Sequence, residues 1–113
     1  MLTPKQNQEI RERLEASQNP LFFFDNDNDG LTSFLLLKRF LDRGKGVAAK
    51  GSHSLEEVYY RKVSELKPDT IFVLDIPGIS DEFLERAEQD NIPIVWIDHH
   101  DVEAPTNKND SYY

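Results

Sequence analysis

The sequence predicts an α/β fold, a parallel sheet of about four strands with helices flanking it. Three observations lead there. The runs Leu21–Phe24, Ile71–Leu74 and Ile94–Ile97 are continuously apolar rather than alternating, as in strands covered on both faces. Segments with helical patterning separate them, so the chain reads strand, helix, strand, helix, which implies right-handed crossovers between parallel strands. With 113 residues, 38% of them apolar and 30% charged, the chain is a single soluble domain rather than a disordered segment. The architecture is Rossmann-like, and such sheets gather ligands beyond the carboxyl ends of their strands.

Each element has a local reason. Thr3-Pro4-Lys5-Gln6 offers an N-cap, a proline at the first helical position and a glutamine three residues after the cap. A helix from about Pro4 to Ala16 follows, and Asn19-Pro20 breaks it. Leu21–Phe24 is then a buried strand, its three phenylalanines core residues. Leu31 to Leu41 reads as a strongly apolar helix closed by Arg43-Gly44. Gly46 to Lys50 reads as a second strand, less apolar than the others. Ser54-Leu55-Glu56-Glu57 has the form of a capping box, opening a helix to about Leu66. Lys67-Pro68-Asp69 is a turn into the strand Thr70–Leu74, which Pro77-Gly78 ends. Ser80 caps a helix through Gln89, with Asp81 and Glu82 at its positive end. Pro93 to Ile97 is the last strand, and Asp101 to Tyr113 is polar and patternless.

Composition narrows the function. Without cysteine there is no disulfide, thiolate zinc site or cysteine nucleophile. Met1 to Glu15 is too polar for a signal peptide, and no segment has the length to span a bilayer, so the expectation is a cytoplasmic protein with no membrane partner. The net charge of −8 argues against coating nucleic acid wholesale. The charge is uneven, however. Lys38, Arg39, Arg43, Lys45, Lys50, Arg61 and Lys62 face only Asp42, Glu56 and Glu57, leaving that stretch at +4 and the remainder at −12. A basic shoulder of this kind can touch phosphates, although each residue also suits an ordinary solvated helix face.

The chemistry concentrates at three strand ends. Phe24 runs into Asp25-Asn26-Asp27-Asn28-Asp29-Gly30, Leu74 into Asp75, and Ile97 into Asp98-His99-His100. Three carboxylates within five positions repel one another and raise each other's pKa unless a cation neutralises them. Oxygen ligands suit Mg²⁺ or Mn²⁺, and an added imidazole tilts the choice to Mn²⁺. Two ions bridged by one carboxylate suit phosphoryl chemistry. Blander readings exist for single residues: Asp29 as a cap for the following helix, Asp75 as a turn residue before Pro77, His53 as a loop residue. None accounts for three acidic strand ends together. An EF-hand loop also begins Asp-x-Asp-x-Asp-Gly, but its twelfth position would be Leu36 where a glutamate is required, and a strand precedes it instead of a helix. A haloacid-dehalogenase-type phosphatase reading of Asp27-Asn28-Asp29-Gly30 with Thr32 leaves Asp98-His99-His100 unexplained.

Together, these three segments resemble the first three motifs of DHH phosphoesterases, over roughly Leu21 to Asp101. The Asp-x-Asp-x-Asp-Gly form is similar to RecJ-type single-strand exonucleases and their archaeal relatives. The pyrophosphatase and oligoribonuclease branches place a histidine ahead of the paired aspartates, where this chain has Phe23. The resemblance implies that Asp27 and Asp75 ligate one Mn²⁺, with Asp25 as a ligand or an orienting group. It implies that Asp29, Asp75 and His99 hold a second ion, Asp75 being the bridge, and that Mg²⁺ is a possible substitute. His100 would contact the scissile phosphate, with Asp98 orienting the histidines. The implied partners are single-stranded nucleic acid and replication or repair proteins.

The family's fourth motif and its C-terminal DHHA1-type domain have no counterpart before Tyr113. The expectation is therefore an N-terminal part of the domain over residues 1–101 and a polar tail over 102–113, in a fragment or one piece of a split protein whose second metal site lacks a ligand. The missing C-terminal part would then be a further partner, and catalysis by this chain alone would be weak or absent. Two other readings are a non-catalytic scaffold in a replication or repair complex and a phosphoesterase of short oligonucleotides. Intact ligands in all three motifs favour descent from an active enzyme over a degenerate scaffold.

Overall fold

The computed structural model describes residues 4–25, 35, 44–49, 55–74, 76–97 and 111–112. In chain order these form α1 (Pro4–Ala16), β1 (Pro20–Asp25), β2 (Lys45–Ala49), a 3-10 turn (Glu57–Tyr59), α2 (Tyr60–Leu66), β3 (Thr70–Leu74), α3 (Asp81–Gln89), β4 (Ile94–Ile97) and β5 (Ser111–Tyr112). All strand pairs are parallel, in the order β2-β1-β3-β4-β5. The predicted α/β class and parallel sheet are what the chain adopts. Of the helix expected over 31–41 only Leu35 is described, helical and exposed; the rest of it and the Thr3 cap lie outside the described residues.

The continuous apolar runs work because successive side chains serve opposite layers. Leu21 and Phe23 of β1, Ile71 and Val73 of β3, and Ile94 and Trp96 of β4 pack with Tyr60 and Val63 of α2 and Phe83 and Ala87 of α3. The intervening residues, Phe22, Phe24, Phe72, Leu74 and Val95, pack with Ile10 and Leu14 of α1. Right-handed crossovers that move the same way across a sheet must place their helices on the same face, as α2 and α3 are placed here. Phe22 and Phe72 stack across neighbouring strands at 5.2 Å, and Phe23 meets Phe83 edge-on at 5.7 Å, tying β1 to α3. Truncating any of these fully buried rings to alanine costs about 3–5 kcal/mol.

Three local expectations are altered by long-range contacts. The capping box at Ser54 does not open the helix at Leu55. Instead Leu55 bridges Ile79, its N–H donating to the Gly78 carbonyl at 2.7 Å and its own carbonyl accepting from the Ser80 N–H at 2.9 Å. That pairing, with a fully buried Leu55 side chain, holds the backbone extended and delays the helical turn to Glu57. Glu56, the residue before it, makes no side-chain cap. Secondly, β2 begins at Lys45, one residue earlier than expected, because Leu21 pairs with Lys45, while Lys50 at its expected end lies outside the described residues. Thirdly, the polar end of the chain supplies a short strand, with Val95 beside Ser111 and Trp96 beside Tyr112.

The cap at Ser80 acts as read. Ser80 Oγ accepts from the Phe83 N–H at 3.2 Å, capping α3. Gly44 has φ +97, and a Cβ there would lie 2.7 Å from the Pro20 carbonyl oxygen, so only glycine fits the entry to β2. Among the described residues, no helix is long and apolar enough to cross a membrane.

Candidate functional site

The strand order creates the crevice. From β1 the chain passes to β2 on one side, whereas β3 leads on to β4 on the other. The connections at the carboxyl ends of neighbouring β1 and β3 therefore diverge, and this switch point is where an open parallel sheet leaves room for a ligand. Register aligns the strand ends. Phe24 pairs with both Ala48 and Leu74, and Leu74 pairs with Ile97, so β1, β3 and β4 reach the edge on one row. Adjacent strands are about 4.8 Å apart, so the ends of β1 and β4 are separated by roughly 10 Å. That span can hold two ions about 3.5–4 Å apart.

Asp25 is the last residue of β1, one step beyond that row and paired with Ala49. The residues that follow Leu74 and Ile97 in the sequence are Asp75 and Asp98. Asp27, Asp29, Asp75, Asp98, His99 and His100 all lie outside the described residues. Among the described residues no group of three or more His, Asp or Glu could hold a metal, and of the expected ligands only Asp25 is among them. The donor chemistry itself suits a hard or borderline divalent ion, four carboxylates with one imidazole.

The surroundings of the edge are more firmly built than the sequence suggests. Ile76, the residue after Asp75, is fully buried, and its carbonyl accepts a 2.8 Å hydrogen bond from the indole Nε1–H of Trp96. Three residues on, Ile79 bridges Leu55. The β3–α3 connection is thereby held from two sides, by β4 and by the segment entering α2. Sequence reasoning missed both contacts. A tryptophan inside a buried strand signals that its N–H needs an acceptor, but not which acceptor.

At the opposite, amino edge of the sheet, Asp69 anchors the entry to β1. Its carboxylate accepts from Ser17 Oγ–H, from the Gln18 N–H at 2.7 Å and from the Asn19 N–H at 3.1 Å. Burial alone would push the Asp69 carboxyl up, but these bonds and one from the Thr70 side chain outweigh it and hold the group below its ordinary value. The Asn19 amide returns hydrogen bonds to the carbonyls of Leu66 and Lys67 at 3.3 and 3.0 Å. In the helical layer, burial, followed by the 2.6 Å hydrogen bond to Asp90, pushes the Tyr60 phenol well up, while Arg86 stands 4.5 Å over its ring.

Comparison with known proteins fits this frame. No curated protein matches the chain. Residues 21–113 match the DHH family, N-terminal domain. The match begins at the first residue of the apolar run in β1 and takes in every one of the three acidic strand ends. The family consists broadly of metal-dependent phosphoesterases, which accords with strands at the switch point of a parallel sheet that lead in sequence into acidic motifs. On the strength of that match over most of its length, the chain belongs to the DHH family of phosphoesterases.

Proposed function

We propose that this chain carries the metal cradle of a RecJ-like exonuclease, hydrolysing phosphodiesters of single-stranded DNA or RNA with Mn²⁺. One observation supports the reading above others. Three neighbouring strands, β1, β3 and β4, end on one row at the switch point, and each leads in sequence directly into an acidic motif. The acid-rich Asp25–Gly30 segment, with Phe23 where other branches have histidine, supports the exonuclease branch in particular.

In this reading Asp27 and Asp75 would hold one Mn²⁺, with Asp25 beside them, and Asp29, Asp75 and His99 would hold the second. Bound there, the ions would activate water for attack and neutralise the charge that develops on the phosphate oxygens. The protein's own groups do the rest. His100 contacts the scissile phosphate and offsets its charge. Asp98 fixes the orientation of the imidazoles, which keeps the metal-binding nitrogen free of its proton. Asp75 would be the ligand on which both sites depend. The substrate is a single strand, and a cytoplasmic location with replication or repair proteins as partners accompanies that role.

The test is Mn²⁺-dependent digestion of end-labelled single-stranded DNA and RNA by this chain and by Asp75→Ala. The proposal expects Mn²⁺ binding and nucleotide release, weak at most from this chain alone, that requires Mn²⁺ and is abolished by the substitution. Digestion that survives Asp75→Ala would contradict the assignment of the bridge. Absence of both digestion and Mn²⁺ binding would favour a scaffold instead.

A further inference from the structure

We propose that Trp96 is a positioning residue for the metal centre: its indole N–H, 2.8 Å from the Ile76 carbonyl oxygen, sets the backbone that carries Asp75. The inference rests on the reading of Asp75 as a metal ligand and adds to it a residue outside all three motifs.

The geometry on both sides of position 75 carries the argument. Leu74 is locked into the sheet by its pairing with Phe24 and Ile97. Ile76 is locked by a fully buried side chain and by the bond from Trp96. Trp96 stands two residues before Asp98 on the strand that leads into Asp98-His99-His100. One hydrogen bond therefore links the residue after Asp75 to the strand that leads into the third motif. The choice of residue is informative as well. Trp96 is 4% exposed in a layer built from Phe, Leu, Ile and Val, where phenylalanine would meet the need for apolar volume. What tryptophan adds is the donor, which a buried indole must satisfy. Groups just outside a metal's ligand shell commonly alter affinity 10- to 100-fold.

The experiment measures Mn²⁺ binding to the full chain through the paramagnetic resonance signal of the free ion. Wild type, Trp96→Phe and Tyr60→Phe are compared, with thermal melting in parallel. Tyr60→Phe removes a different hydrogen bond, that to Asp90, from the same packed layer. It reports what loss of a core hydrogen bond does by itself. Because the chain has a single tryptophan, biosynthetic replacement of tryptophan by 3-benzothienylalanine deletes the donor while keeping the ring shape, and this serves should Trp96→Phe fail to fold. The expected result is a dissociation constant about tenfold weaker for Trp96→Phe and for the benzothienyl protein, and within about twofold of wild type for Tyr60→Phe. Equal affinity in the donor-deleted proteins and wild type would overturn the positioning role while leaving the metal reading standing. A wild-type chain that binds no Mn²⁺ would overturn the metal reading, and the positioning role with it.

Discussion

Replacing Asp69 should loosen the amino edge of the sheet in a way that pH reveals. Its carboxylate gathers Ser17 Oγ–H and the backbone N–H groups of Gln18 and Asn19, all from the link between α1 and β1. A buried hydrogen bond to a charged group is worth about 1.5–3 kcal/mol. Asp69 itself is exposed, so solvent screening reduces each bond to roughly 0.5–1 kcal/mol. Ser17 is only 2% exposed, and its hydroxyl would be left without this acceptor. The sum for Asp69→Ala is about 2–3 kcal/mol, or a fall in Tm near 10 °C for a domain of this size. Asp69→Asn, which keeps one acceptor oxygen, should lose about 1 kcal/mol less. The folded-state pKa lies below the unfolded value of about 3.9, so the stabilisation is complete above that value and is lost as pH falls through the folded pKa. Urea unfolding of wild type and Asp69→Asn, followed by circular dichroism from pH 7 to pH 3, provides the assay. The gap between them should be constant above about pH 5 and shrink below about pH 4. A gap under about 0.5 kcal/mol at neutral pH, or one that does not change down to pH 3, would refute the reasoning.

Other consequences are simpler. Gly44→Ala forces a Cβ to within 2.7 Å of the Pro20 carbonyl oxygen at φ +97, and should cost about 2–4 kcal/mol in chemical unfolding. The Tyr60 phenol is pushed above its unfolded value of about 10, so its share of stability is full below that pH and declines as pH rises further. Tyr60→Phe should cost about 1 kcal/mol at neutral pH and flatten the alkaline decline, as read from Tm against pH.

Much of the fold can be read locally because its signals are local. The strands of the sheet interior are continuous apolar runs, and each residue of Phe22–Phe24 and Ile71–Leu74 serves one of two packed layers. The Ser80 cap of α3 acts within three residues of itself. What escaped local reading depends on partners distant in sequence. Ser54 through Glu57 has the form of a helix start, yet Leu55 is claimed by Ile79, and a strand-like bridge wins over a local cap. The Asp69 anchor joins residues about fifty positions apart. α2 ends on Lys67 at φ 49, a left-handed position without the usual glycine, because Lys67 N–H still closes on the Val63 carbonyl. For the site, the acidic motifs are plain in sequence, and so is their placement after strands. That the strands leading into them end on one row follows only from the register of β1, β3 and β4, and the link from Trp96 to Ile76 only from the packed core.

The central claim is that the ends of β1, β3 and β4 bring together one metal centre. A crystal structure of the chain grown with Mn²⁺, with diffraction collected at the manganese absorption edge, tests it most directly. The account predicts anomalous density at the carboxyl edge, at the crevice between β1 and β3, with Asp75 touching it and with the density gone in Asp75→Ala. Density elsewhere on the molecule, or carboxylates at the three strand ends turned away from any shared ion, would contradict it.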